Sequence, residues 1–159
     1  MTAYFEDNPL RSAIHHLKYR NNKTISSILG KILFDTYRHS MRSVDVIVPV
    51  PSHRAKLGER GYNQSELLAR ELGSFARLPL NTDTLQRTRN TASQMELGAQ
   101  ERHDNVAGAF SCRNERLANR RVLLVDDVCT TGSTLDACAA ALKKAGSASV
   151  MGLAIAKAR

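Results

Sequence analysis

A chain of 159 residues with 42% hydrophobic and 24% charged content has the size and composition of one globular domain, large enough to bury roughly two-thirds of its unfolded surface. No apolar run approaches the ~20 residues of a membrane helix and no signal-peptide pattern opens the sequence, which argues against a membrane-spanning protein. The formal charge of +8 points to an anionic partner, nucleic acid or a phosphorylated ligand, although 5% aromatic content without tryptophan leaves few platforms for stacked bases.

Asn8-Pro9 opens a short helix over residues 10–18, with proline tolerated in the first turn and Ile14 and Leu17 facing inward. His15 and His16 are adjacent, so they point in different directions and suit a surface better than a metal. After a polar turn over 19–23, Thr24 caps a second helix whose Ile25, Ile28, Leu29, Ile32 and Leu33 form one apolar stripe.

Residues 44–50 are a buried-strand candidate, followed at the carboxyl end by Pro51-Ser52-His53-Arg54 and then Lys56, Arg60 and Gly61. The planar fork of Arg54 suits the paired oxygens of a pyrophosphate, and an ordinary basic surface loop is the alternative. Val50-Pro51 is a candidate for the cis form, which about 5% of X-Pro bonds in folded proteins adopt. Asn63 or Ser65 caps the next helix, with Leu67, Leu68, Glu71, Leu72 and Phe75 on one face, and a short strand is expected near 80–85. From Arg87 to Gln94 no hydrophobic period is sustained, and Met95, Leu97 and Glu101-Arg102 give at most one marginal helix before 104–106; long polar loops of this kind are lids, binding segments or disorder. A strand over 106–112 and a polar connection over 113–120 follow.

The most informative stretch is 121–134. Val122 to Val125 is an unbroken apolar run, as in a strand covered on both faces of a parallel sheet, and Asp126-Asp127 stands where that strand is expected to end. Thr130, Thr131, Gly132, Ser133 and Thr134 then lead into a helical pattern through Leu135, Cys138, Ala139 and Leu142. Such a loop can wrap amides and hydroxyls around a phosphate at the helix N-terminus, and Gly132 allows close backbone approach. Asp126 and Asp127 would repel that phosphate, so they are placed for sugar hydroxyls or for a hydrated Mg²⁺. Phosphate at one end and a diol at the other describe a ribose 5-phosphate. The loop is neither Gly-x-x-x-x-Gly-Lys-Ser/Thr nor Gly-x-Gly-x-x-Gly, which argues against an ATPase and a dinucleotide enzyme. Ala145-Gly146 ends the helix, and residues 149–156 form the last strand.

The three cysteines, Cys112, Cys129 and Cys138, are odd in number and lack Cys-x-x-Cys spacing, so zinc and a disulfide framework are both poorly supported and a reducing cytoplasm is expected. Cys129 has no base near it in sequence, which weakens any thiol nucleophile, and Cys138 belongs to the apolar helix face.

The run from Val122 to Thr134 resembles the phosphoribosyl pyrophosphate (PRPP) signature of type I phosphoribosyltransferases. More narrowly, the chain resembles the ComF family, the competence-associated branch of that fold, over most of its length and most strongly over 44–156. The resemblance implies that Ser52, His53 and Arg54 surround the pyrophosphate, that Thr130 to Thr134 hold the 5-phosphate, and that Asp126 and Asp127 hold the ribose diol and Mg²⁺ contacts. Arg60-Gly61-Tyr62-Asn63-Gln64 and Leu17-Lys18-Tyr19 also match ComF-like segments, the latter lying in a hood over the site. Arg87, Arg89, Gln94, Leu97, Arg102 and Asn105 match the flexible loop that closes over PRPP, which would bring Arg89 or Arg102 to the departing oxygens and exclude water from an oxocarbenium-like centre. The Cys-rich zinc module that usually precedes this point in full-length ComF proteins is expected to be lacking.

These readings converge on an α/β fold: a doubly wound, mostly parallel sheet with helices on both faces in a single domain of 1–159, with a hood and helices in 1–43 and the core in 44–156. The expected function is phosphoribosyl transfer to a nitrogen acceptor with Mg²⁺ and release of pyrophosphate, with Asp126, Asp127, Arg89 and Arg102 as the catalytic candidates. The alternative is a non-enzymatic accessory in DNA uptake that binds single-stranded nucleic acid or competence proteins, and a homo-oligomer is compatible with either.

Overall fold

The computed structural model of the chain describes residues 3–4, 9–20, 23–40, 42–53, 57–58, 61–89, 106 and 108–158. Strands β1 (Ala3–Tyr4), β2 (Val46–Pro49), β3 (Leu85–Arg87), β4 (Phe110–Cys112), β5 (Arg121–Cys129) and β6 (Ser149–Lys157) and helices α1 (Pro9–Arg20), α2 (Lys23–His39), α3 (Gln64–Ala76) and α4 (Ser133–Lys144) follow in the order β1-α1-α2-β2-α3-β3-β4-β5-α4-β6. The main sheet is parallel in the order β1-β6-β5-β2, and β3 and β4 form a separate antiparallel pair.

Strand β5 explains why the sheet is covered on both sides. Val122, Leu123, Leu124 and Val125 are all fully buried. Val122 and Leu124 pack with Cys138 and Leu142 of α4, whereas Leu123 and Val125 pack with Leu68 and Leu72 of α3, Leu29 and Leu33 of α2, and Ile14 and Leu17 of α1. Alternate side chains of one strand therefore fill two cores, which is the physical content of an unbroken apolar run. Each buried Leu or Val contributes about 1.5–3 kcal/mol relative to exposure. The expected doubly wound α/β architecture is the observed one.

Helices α2 and α3 meet where Gly30 faces Glu71; a Cβ added at Gly30 would collide with the Glu71 side chain. The buried face of α3 is Leu68, Ala69, Leu72 and Gly73, while Phe75 is 39% exposed with its ring 6.1 Å from that of Phe34.

Several boundaries differ from the sequence expectation. Strand β5 does not stop before the acidic pair: β6 continues to pair with it through Asp126↔Ala154, Val128↔Ala156 and Cys129↔Lys157, so both carboxylates project from the strand itself. The strand expected over 80–85 is an isolated bridge from Leu80 to Ile47, and β3 begins at Leu85. The strand expected over 106–112 is confined to Phe110–Cys112, because Gly108 takes a φ of +66° that interrupts extended backbone. The second helix starts at Lys23 rather than after a Thr24 cap, and Val50-Pro51 is trans. Strand β1 carried no signal in the sequence pattern. Gly146, at φ +89°, closes α4 as expected.

At the foot of β5, Arg121 locks onto Asp45. Its Nη2 lies 2.6 Å from Asp45 Oδ1, and its Nε and backbone N–H donate to Oδ2 at 3.1 and 2.8 Å. These Arg121 hydrogen bonds, side chain first, hold the Asp45 carboxyl down to about 2. None of the helices among the described residues is long and apolar enough to cross a membrane.

Candidate functional site

The carboxyl ends of β2 and β5 lie side by side, tied by the Val50 N–H donating to the Val125 carbonyl at 2.9 Å. Each strand then feeds a loop and a helix, so the loops after β2 and after β5 share one edge of the sheet. Open α/β sheets bind ligands at this position.

After β5, residues 130–132 turn into α4. Gly132 occupies the N-cap with φ +93° and ψ −9° and offers no side-chain cap, while the Ser133 N–H donates to Thr131 Oγ1 at 3.4 Å. The first helical bond runs from the Asp136 N–H to the Gly132 carbonyl at 2.9 Å. Thr131 Oγ1 and Ser133 Oγ share a hydrogen bond of 2.6 Å, with Ser133 buried, so these two hydroxyls brace the bend. Asp126, Thr130, Gly132 and Thr134 line a small, open concavity, together with Val128, Cys129 and Leu135. The predicted phosphate residues thus divide in two: Thr130, Gly132 and Thr134 face the concavity, and Thr131 and Ser133 pair with each other. Asp136, exposed in the first turn of α4, brings a negative charge to the same helix end, its Oδ2 3.7 Å from where a Cβ on Gly132 would stand, and there it complements the helix dipole.

The two acids differ in setting. Asp126 is 9% exposed, and its Oδ1 accepts from the Ser65 hydroxyl and from the Asp127 N–H, each at 2.9 Å. Asp127 is half-buried, with its Oδ1 accepting from the Val128 N–H at 2.7 Å. No group of three or more His, Cys, Asp or Glu able to hold a metal occurs among the described residues. That donor set suits Mg²⁺, which keeps most of its waters and is bound through one or two carboxylates plus the phosphates of a substrate.

The loop after β2 is fastened from α3. Asn63, the N-cap of α3, accepts from the Ser52 hydroxyl at 3.1 Å and from the Ser65 N–H at 3.2 Å, and its Nδ2 donates to the Val50 carbonyl at 3.0 Å. The carbonyl of half-buried His53 accepts from the Leu57 N–H at 3.0 Å, and the Leu57 carbonyl from the Gly61 N–H at 2.7 Å. Tyr62 Oη donates to the Leu17 carbonyl at 2.6 Å and connects this loop to α1. Arg54 lies outside the described residues.

Of the flexible-loop candidates, Arg89 is exposed just beyond the β3–β4 pair, and Arg102, Gln94, Leu97 and Asn105 lie outside the described residues. Arg87 is not a loop residue: it ends β3 with its guanidinium 5.5 Å from the centre of the Phe110 ring. Burial lowers its proton affinity, and the nearby Cys138 and Asp126 work in the opposite direction. Burial also pushes up the thiols of Cys112, Cys129 and, furthest, Cys138, which leaves all three protonated and poor nucleophiles.

The sequence reading missed Ser65 and Asn63 as site residues because each was already accounted for as a helix cap. The only available signal was the ComF-like Tyr62-Asn63-Gln64 match, which named no contact.

Comparison with known proteins gives a consistent picture. A family model described as the phosphoribosyl transferase domain matches residues 15–158. Competence protein F of Haemophilus influenzae is 36% identical over 146 residues, covering 87% of this chain and 63% of that protein. DNA utilization protein YhgH of Escherichia coli is 35% identical over 147 residues, covering 89% and 64% respectively. The chain therefore spans a little under two thirds of the length of these relatives. Among solved structures, the allosteric regulatory enzyme of purine biosynthesis superposes with a TM-score of 0.56 at 19% identity, covering 82% of this chain and 26% of that one, a likeness of fold.

Proposed function

The chain belongs to the phosphoribosyl transferase domain family, and on that premise we propose that it binds PRPP with Mg²⁺ in a single domain of residues 1–159 and transfers the phosphoribosyl group to a nitrogen acceptor, releasing pyrophosphate in the cytoplasm. The observation that carries this reading is the concavity shared by Asp126, Thr130, Gly132 and Thr134 at the start of α4. There the α4 dipole and amides favour the 5-phosphate, while Asp126 and Asp127 accept from the ribose hydroxyls and meet the positive charge that develops at C1. Ser52 and His53, with Arg54, hold the pyrophosphate at the end of β2. Arg89 and Arg102 approach from the segment between β3 and β4 to neutralise the departing oxygens. Mg²⁺ supplies further charge neutralisation at the diphosphate, with Asp126 and Asp127 as its protein contacts.

The test is a melting experiment followed by an acceptor screen. Mg²⁺-PRPP raises the melting temperature of the wild-type chain, and Asp127→Asn abolishes the rise. Pyrophosphate appears when PRPP is incubated with the correct nitrogen acceptor. A wild-type chain with no PRPP-dependent rise refutes the reading.

A second reading draws on the printed names of the relatives, competence protein F and DNA utilization protein, together with the charge of +8: an accessory role in DNA uptake through single-stranded DNA or competence proteins. Single-stranded DNA binding with a steep salt dependence that PRPP does not change supports it.

A further inference from the structure

Asn63 and Ser65 do more than begin a helix. An N-cap needs only a side-chain acceptor, which Ser or Asp supplies as well as Asn. Asn63 also uses its donor, gripping the Val50 carbonyl immediately before the β2 loop, while the same oxygen that caps α3 accepts from Ser52 inside that loop. Two residues on, the Ser65 hydroxyl reaches Asp126 Oδ1 at 2.9 Å, with Ser65 5% and Asp126 9% exposed. Water competes poorly for a hydrogen bond in such a setting, so the bond holds both partners in one geometry. The bridge Ser52–Asn63–Ser65–Asp126 therefore runs from the β2 loop to the acid on β5 through the first turn of α3.

We infer that Asn63 and Ser65 are positioning residues that fix the separation between the β2 loop and the β5 acid, so that a ligand with anions at both ends meets two half-sites already in register. The inference rests on the proposed PRPP reading and deepens it: the bridge matters to a ligand spanning both loops and little to one that fills only the α4 bend. A preformed spacing raises affinity by removing an ordering cost at binding.

The experiment compares Mg²⁺-PRPP with ribose 5-phosphate by calorimetry. Asn63→Ser keeps a cap acceptor and drops the grip on Val50; it weakens PRPP by about tenfold, the loss expected for one buried hydrogen bond, and leaves ribose 5-phosphate within about twofold. Ser65→Ala weakens PRPP by a similar factor, and Ser65→Thr, which restores the hydroxyl, recovers most of it. Equal losses for both ligands in Asn63→Ser, or a threonine variant that behaves like alanine, overturn the inference. A readout independent of ligand is the amide resonance of Asp127, whose N–H donates to the same Oδ1 that Ser65 reaches. It moves in Ser65→Ala and returns in Ser65→Thr, and an unmoved resonance also overturns the bridge. A wild-type chain that binds no PRPP, while this resonance still follows residue 65, refutes the ligand and upholds the bridge.

Discussion

The two ends of the β5 region both carry carboxylates, held in different ways. At the foot, Asp45 is gripped by Arg121 through three hydrogen bonds from one residue, two of them a side-chain fork. At the tip, Asp126 Oδ1 is held by neutral donors, a serine hydroxyl and a backbone amide. An arginine fork satisfies both carboxylate oxygens and cancels the charge, which makes a fastening. Neutral donors orient a carboxylate without cancelling its charge. The two aspartates thus differ in what holds them, a guanidinium fork on both oxygens at the foot and neutral donors on Oδ1 at the tip.

The largest effect should come from removing charge at the tip. Asp126→Asn keeps Oδ1 as an acceptor for Ser65 and the Asp127 N–H, so the fold survives, while Mg²⁺-PRPP affinity measured by calorimetry falls by about 100-fold. Retained affinity would break the contrast, because the tip would then be as structural as the foot. Next comes Gly132→Ala: with φ at +93° a Cβ is strained whatever the space around it. Urea denaturation should show a loss of about 1–2 kcal/mol, with weakened ribose 5-phosphate binding in the same protein. The smallest effect belongs to the foot. Asp45 is held down to about 2 against an ordinary 3.8, so its ion pair stabilises the fold fully above that ordinary value and is lost as pH falls through about 2. Asp45→Asn should therefore flatten the acid limb of the melting temperature against pH between about 4 and 2 and leave ligand binding at neutral pH unchanged. A loss of binding in that variant would show the two ends to be coupled.

The signature segment was legible because its information is local: an apolar run, two acids and a hydroxyl-rich bend within fourteen residues dictate strand, tip and helix start. What could not be read is what depends on distant pairing. Strand β5 extends past its apolar run because β6, some thirty residues later, continues to hydrogen-bond with it. Ser65 and Asp126 are 61 positions apart, and no pattern around either announces the other. Arg87 looked like the start of a polar loop, and only the antiparallel partner Phe110 makes it a strand end under an aromatic ring. Ile14 and Leu17 showed an inward face without saying that they share a core with Leu123 and Val125.

The bare backbone at Gly30 has a reach beyond its own contact. Because α2 and α3 touch there with no room for a methyl group, the seam sets how high α3 rides against the sheet, and the head of α3 carries Asn63 and Ser65. Alanine at that seam would act as a shim, lifting the helix and tilting the bracket between Ser52 and Asp126. A measurable drop in PRPP affinity from Gly30→Ala would mark a part of the apparatus that works by thickness alone, far from anything bound.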